Sequence, residues 1–333
     1  MFDTNQDRKI LVQTNNLCKR FLIKRTLFDA IAKKPVKTLR AVDDVSIDIY
    51  VGENLGLVGE SGCGKSTLAR TIIRLYEPDD GKIFFNGKNL TDMNKNELRK
   101  ERKNFQMIFQ DPYSSLNPRM SIREILEEEL TFHKVCTKKD MDRRIIELLE
   151  MVGLGKDMAD RFPGEFSGGQ RQRVGIARAI ALNPKFIIAD EPVSALDVSI
   201  QAQIINLLEE LQKKLDLTIL FISHDLRVVK YITHRVAVMY LGKIVELSDT
   251  DELYDNPLHP YTKVLLKASP NLDPRIREEK NLIEGDPPSP IDLPKGCRFN
   301  PRCTYASDIC FQQEPKLEEK KKGHFVACHF SSI

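Results

Sequence analysis

Residues Gly59–Thr67 read GESGCGKST, a full match to the phosphate-loop pattern G-x-x-x-x-G-K-[ST]. The apolar stretch ENLGLVG (Glu53–Gly59) enters it as a buried strand, and a helical pattern over Ser66–Leu75 leaves it. Gly62 and Gly64 allow the backbone to curl until its amides face a phosphate, and the helix start adds positive dipole. Lys65 supplies a point charge to the β/γ-phosphates, and the Ser66 hydroxyl is a ligand for Mg²⁺. Ser61, Cys63 and Thr67 complete the nucleotide-contacting run. A chance glycine-rich turn would not carry strand, lysine, serine and helix in register.

A second apolar strand, FIIADEP (Phe186–Pro192), ends on Asp190 and Glu191. Ligands of open parallel sheets bind at that edge. Asp190 there suits holding Mg²⁺ through water, and Glu191 suits polarising an attacking water. VSIDIY (Val45–Tyr50), KIFFN (Lys82–Asn86) and TILFIS (Thr218–Ser223) also read as strands. Helical patterns cover Ile122–Glu129, Met141–Met151, Gln170–Leu182 and Ser199–Leu215. Apolar strands alternating with helices predict an α/β fold around a largely parallel core sheet. The stretch from about 110 to 182 is mostly helical and reads as a separate lobe. After residue 253 prolines gather in DPPSPIDLPKG (Asp286–Gly296), and a small accessory domain is expected over 254–333 behind a main domain of 1–253.

The chain has 333 residues, 41% hydrophobic and 30% charged, with a formal net charge of +3. These values fit a folded soluble protein and give no basic excess of the kind that marks nucleic-acid binders. No apolar run reaches the roughly 18 residues that span a bilayer, and MFDTNQDRKI lacks a signal-peptide core. A cytosolic setting is therefore expected, in which docking onto a membrane protein stays open.

Further motifs follow the phosphate loop in a fixed order: MIFQD (Met107–Asp111), FSGGQRQR (Phe166–Arg173), SALD (Ser194–Asp197) and FISHD (Phe221–Asp225). Together they resemble the nucleotide-binding subunits of ATP-binding cassette transporters, whose domain joins a RecA-like core to a helical subdomain. The resemblance implies ATP and Mg²⁺ as ligands. It makes Gln110 a contact of the Mg²⁺/water cluster, Glu191 the catalytic base and His224 its partner at the γ-phosphate. Ser167, Gly168, Gly169 and Gln170 become an anion site facing the nucleotide on an opposite subunit, with Asp197 in the D-loop. Phe166 stands where leucine is usual. For the adenine platform Phe21 matches best, with Phe28 as a rival beyond the basic insertion TLFDAIAKKPVKTLR (Thr26–Arg40).

DPYSSLNPRMSI (Asp111–Ile122), PLHPYTKVLL (Pro257–Leu266) and GDPPSPIDLPKGCRFNPRC (Gly285–Cys303) are similar to the dipeptide/oligopeptide importers of that family. That likeness implies an ATP-hydrolysing motor peripheral to the cytoplasmic face of the membrane. Its expected partners are a second ATPase subunit (a different chain, or a second copy), two permease subunits and an extracytoplasmic peptide-binding protein. No nucleic acid is expected. A soluble cassette ATPase of DNA repair or translation is the alternative, and a purely regulatory module is a third reading.

Four of the seven cysteines, Cys297, Cys303, Cys310 and Cys328, fall in the last 37 residues. Four thiolates suit a [4Fe–4S] cluster or tetrahedral zinc, and the C-x5-C-x6-C-x17-C spacing matches neither a zinc ribbon nor a bacterial ferredoxin. Resemblance to peptide-importer ATPases that carry an iron–sulfur cluster favours [4Fe–4S], with zinc as the alternative. The implied role is a staple for a domain too small for a strong core. KLEEKKKGH (Lys316–His324) reads as a solvated turn, and His324 and His329 as surface residues or substitute zinc ligands.

Overall fold

The computed structural model describes residues 8–23, 37–111, 116–268 and 288–331. Its strands are β1 (Ile10–Leu22), β2 (Thr38–Tyr50), β3 (Asn54–Val58), β4 (Asp80–Phe85), β5 (Lys88–Asn89) and β6 (Phe105–Ile108). Then come β7 (Phe186–Asp190), β8 (Thr218–Ile222), β9 (Arg235–Tyr240), β10 (Lys243–Asp249), β11 (Glu318–Lys321) and β12 (His324–Val326). The helices are α1 (Lys65–Ile72), α2 (Lys95–Glu101), α3 (Ile122–Phe132), α4 (Met141–Met151) and α5 (Gly168–Ile180). They continue with α6 (Val198–Leu215), α7 (Leu226–Ile232), α8 (Thr250–Asp255), α9 (Pro260–Ala268) and α10 (Asp308–Gln312).

Every residue of β3, β7 and β8 is buried, as continuous apolar runs require when both faces of a sheet are covered. Strands β6, β7, β8, β3 and β9 lie side by side and parallel. Antiparallel β10, β12 and β11 extend that sheet beyond β9. A second, antiparallel sheet has the order β2-β1-β4-β5. The ring of Phe85 on β4 meets Phe105 on β6 at 5.4 Å, which ties the two sheets together. Helices α3, α4 and α5 pack on one another through apolar residues such as Leu126, Leu130, Ile145, Leu148 and Val174, all fully buried. Among the described residues no helix is long and apolar enough to cross a membrane.

Helix boundaries follow local chemistry. Helix α1 stops at Ile72, short of Leu75, because the chain turns left-handed at Arg74 (φ 51°). Helix α5 begins at Gly168, two residues before the expected start, because Ser167 and Gln170 form a capping box. Ser121 and Glu124 do the same for α3.

The C-terminal region is built into the main sheet. β12 pairs with β10, with Glu246 opposite Val326. The expected solvated turn Lys316–His324 is a hairpin: β11 is an exposed, charged edge strand, and His324 is buried. Lysines and glutamates on an edge protect it from further pairing. His324 Nε2 lies 2.7 Å from Glu246 Oε1, and both side chains are inaccessible to solvent. The Glu246 carboxylate also accepts the amides of Leu258 (2.7 Å) and His259 (3.0 Å), so one buried group ties β10, β12 and the start of α9 together.

Removing that carboxylate strands buried donors, so Glu246→Ala is expected to cost about 3 kcal/mol of stability in urea unfolding. Glu246→Gln, which keeps one acceptor, costs less. Burial also pushes two histidines down from 6.5 to about 4: His259, whose Nδ1 accepts the Tyr261 amide, and His234, whose Nδ1 accepts that of Asn54. Both rings stay neutral in the folded chain down to about 4, whereas unfolded they take up protons near 6.5. The unfolded state therefore binds more protons in between, and stability falls as pH drops through that window. Urea midpoints at pH 7 and pH 5 measure this, and His259→Gln is expected to flatten the slope by about one proton.

Candidate functional site

The phosphate loop leaves β3 and curls over the start of α1. Gly59, Gly62 and Gly64 have φ of 149°, 77° and 112°, backbone that side-chain-bearing residues rarely adopt. A Cβ on Gly64 would lie 2.0 Å from the carbonyl oxygen of Ala41, and one on Gly59 2.2 Å from that of Met239. Ser61 and Gly62 form the exposed crest, while Cys63 packs inward with its carbonyl accepting the Gly242 amide at 2.8 Å. Lys65 Nζ donates back to the carbonyls of Gly59 (2.8 Å) and Glu60 (3.0 Å). Thr67 continues α1, and its carbonyl accepts the Thr71 hydroxyl at 2.7 Å.

Three adjacent parallel strands deliver side chains to this edge. Ser66 Oγ donates to Asp190 Oδ1 at 2.8 Å, joining the loop to the end of β7. Asp190 Oδ2 is buried without a hydrogen-bond partner, and burial pushes the carboxyl above its usual range. A buried carboxylate oxygen that receives no hydrogen bond, beside a serine hydroxyl, fits an oxygen-seeking cation. Arg70, one helical turn after Ser66, comes within 3.7 Å of that oxygen; the spacing of four residues was its only trace in the sequence.

Glu191 adopts φ 48°, an uncommon conformation for a residue with a Cβ. Gln110, just after β6, donates to Glu191 Oε2 at 2.9 Å, and His224, just after β8, places Nδ1 3.4 Å from the same oxygen. The three expected residues thus meet on one carboxylate oxygen.

The Ser167–Gln170 turn packs against the start of α6. A Cβ on Gly168 would touch Leu196 at 3.3 Å, and one on Gly169 would strike Ile200 at 2.5 Å. Asp197 stands at the N-cap of α6, where its carbonyl accepts the Ile200 and Gln201 amides. Phe21 on β1 packs edge-on against Tyr76 with centroids 5.5 Å apart, and Lys19 Nζ lies 5.5 Å over its ring. Tyr76 was not foreseen, since it lies outside the motifs. Phe28 lies outside the described residues.

The four-cysteine expectation is corrected here. Cys297, Cys303, Cys310 and Cys328 do converge, lining one cavity of about 20 Å³ together with aromatic and backbone surface. That is room for about one water, not for a cubane of iron and sulfur. Among the described residues, no group of three or more His, Cys, Asp or Glu side chains is placed to hold a metal ion. All four are free cysteines, and burial pushes the thiol of Cys297 up to about 11 and raises those of Cys303 and Cys328, which favours neutral S–H. Zinc fares no better: His324 is committed to Glu246, and His329 Nε2 lies 2.9 Å from the Gln313 carbonyl. The region is held by hydrogen bonds instead, with Asn300 Nδ2 donating to the carbonyls of Lys295 (2.7 Å) and Cys310 (2.9 Å).

Residues 42–194 match the family described as ABC transporter, and residues 245–310 that described as Oligopeptide/dipeptide transporter, C-terminal region. The chain is 52% identical to the oligopeptide transport ATP-binding protein AppF of Bacillus subtilis (strain 168), over 99% of this chain and 100% of that one. This chain belongs to the ATP-binding proteins of ABC transporters. It is also 52% identical to the oligopeptide transport ATP-binding protein OppF of Salmonella typhimurium, with 97% of each chain covered. In structure this ABC protein resembles the ATP-binding cassette MJ0796, solved as a dimer in a post-hydrolysis state bound to ADP and Pi. The TM-score is 0.63 and the identity 29%, over 72% of this chain and 99% of that one.

The glycine contacts make two substitutions in this cassette separable. Gly64→Ala drives a Cβ into the Ala41 carbonyl and is expected to weaken MgATP binding about 100-fold or more. Gly62→Ala meets no atom within 4 Å and carries only the strain of its φ, so its loss is smaller. Equilibrium titration with a fluorescent ATP analogue measures both.

Proposed function

We propose that this chain is the ATP-hydrolysing motor subunit of a peptide importer. The observation that carries the reading is the meeting of Gln110, Glu191 and His224 on one carboxylate oxygen beside the Ser66–Asp190 pair. The peptide cargo is carried over from the AppF and OppF relatives and the matched C-terminal family.

In this reading the loop amides from Ser61 to Thr67 and Lys65 bind the phosphates, and Phe21 stacks on the adenine. Ser66 directly, and Asp190 through water, would hold Mg²⁺, with Gln110 as a further contact of the ion and its water; the ion would supply charge neutralisation to the phosphates. Glu191 accepts a proton from the attacking water, and His224 fixes the orientation of that carboxylate. Such chemistry is mainly positioning and charge stabilisation. Ser167, Gly168, Gly169 and Gln170, an amide-rich helix start, face the nucleotide of a second ATPase subunit, and Asp197 lines the same junction. The second subunit is a different chain or another copy. Closure of the pair is passed through the Gln110 segment to two permease subunits at the cytoplasmic face of the membrane, fed by an extracytoplasmic peptide-binding protein.

Glu191→Gln keeps the size of the side chain and removes its basicity. It is expected to bind MgATP as the parent does while turnover drops about 100-fold or more, as loss of a general base predicts. Steady-state ATPase assays on the assembled transporter provide the measurement, and near-normal turnover in that variant would remove Glu191 as the base.

A further inference from the structure

Glu60, the second residue of the phosphate loop, has every polar group engaged, its amide and its carboxylate from outside the cassette motifs. Its amide donates to the Tyr261 hydroxyl at 2.8 Å, and its carbonyl accepts from Lys65. Its carboxylate receives two bonds from the Arg302 guanidinium, at 2.9 and 3.0 Å. Tyr261 belongs to α9 and Arg302 to the cysteine-flanked run CRFNPRC (Cys297–Cys303), 201 and 242 residues further along the chain. The Arg302 side chain is 6% exposed and that of Glu60 23%.

Two more residues of that run, Arg298 and Phe299, are committed to the same spot. Phe299 is buried edge-on against Tyr240, 5.3 Å between centroids, and 5.5 Å from Tyr261. Arg298 bonds the Leu241 carbonyl and the Asp43 carboxylate. The next residue, Gly242, donates its amide to the carbonyl of Cys63 inside the loop, and its own carbonyl accepts the amide of Asp43. Three side chains of one five-residue stretch therefore converge on the back of the phosphate loop, two of them directly on Glu60 or on the turn that supports Cys63.

We propose that Arg302 and Tyr261 are positioning residues for ATP binding, through which the C-terminal region fixes Glu60 and cancels its charge beside the phosphate site. The inference rests on the reading of this chain as an ABC ATPase. Its physical basis is twofold. An unpaired carboxylate one residue into an anion-binding loop opposes a polyphosphate, and Arg302 is its ion-pair partner. The Tyr261 hydroxyl fixes the Glu60 peptide plane, and with it the carbonyl from which Lys65 donates.

Arg302→Gln is expected to raise KM and Kd for MgATP about tenfold, with kcat changed less than about twofold and the deficit shrinking as salt is raised. The double variant Arg302→Gln/Glu60→Gln removes the stranded charge and is expected to return to within about threefold of the parent. Arg302→Lys retains the charge and stays close to the parent. Tyr261→Phe, which keeps the buried ring, is expected to weaken binding about threefold from the lost hydrogen bond. These variants also serve if Arg302→Gln does not fold. The measurements are MgATP titrations of the full-length chain and ATPase assays of the assembled transporter across salt. An Arg302→Gln protein that binds MgATP like the parent, or a double variant as weak as the single one, overturns the proposal. Failure of the parent itself to bind MgATP would instead remove the ABC ATPase reading and this proposal with it.

Discussion

Two carbonyl oxygens, those of Ala41 and Met239, lie so close to the phosphate loop that a Cβ on Gly64 or Gly59 would come within 2.0 or 2.2 Å of them. Ala41 belongs to the antiparallel sheet and Met239 to the parallel one, so the loop lies where the two sheets meet. Hydrogen bonds across the seam fix the spacing: Gly242 donates to the Cys63 carbonyl and accepts from the Asp43 amide, at 2.8 and 2.9 Å. A side chain at either glycine would have to displace main chain in one sheet. The loop's shape is thus set by the relative position of two sheets, and its glycines are required by that contact as well as by their positive φ.

The catalytic edge follows from strand order. Gln110, Glu191 and His224 each come within two residues of a strand's end, and those strands, β6, β7 and β8, are neighbours in the sheet. Parallel pairing aligns their carboxyl ends, so residues separated by more than thirty positions in sequence arrive side by side. The Glu191 amide donates to the Ile222 carbonyl at 3.0 Å, which prolongs the β7–β8 ladder by one residue and holds Glu191 in its left-handed conformation. Strain of that kind persists where surrounding bonds over-determine the backbone.

These relations explain what the sequence made legible. Apolar runs ending in Gly59, Asp190 and Ser223 identified β3, β7 and β8, and motif residues stand at or just beyond their ends, because strand burial and strand-end placement are local signals. Helix α4 is found where the pattern puts it, whereas α1 and α5 shift by a turn-forming Arg74 and a capping Ser167. Contacts closed by tertiary packing left no such mark. The ion pair between Glu60 and Arg302 spans 242 residues, and Phe21 finds Tyr76 only through the fold. The cluster expectation, which rested on resemblance and not on the cysteine spacing, failed for the same reason: nothing local reveals that hydrogen bonds from Asn300 already close the turn. His324 stood in a run of lysines and glutamates, and only pairing of β12 with β10 buries it.

The way the C-terminal region attaches bears on how it works. Apolar packing alone, such as Phe299 against Tyr240 and Tyr261, tolerates small slips of one surface over another. Buried charges do not, because a guanidinium moved away from its partners loses their compensation while remaining desolvated. Arg298 and Arg302 are both nearly inaccessible, and each has fixed partners, Asp43, Glu314 and the Leu241 carbonyl for one, Glu60 and the Tyr240 hydroxyl for the other. Pairing both guanidinium groups at once selects one register of the CRFNPRC run on the cassette. A region locked in that register to the residue next to Gly59 is thermodynamically linked to the loop's conformation. Binding that favours the docked loop must favour the docked tail to the same extent, since linkage between two sites is reciprocal.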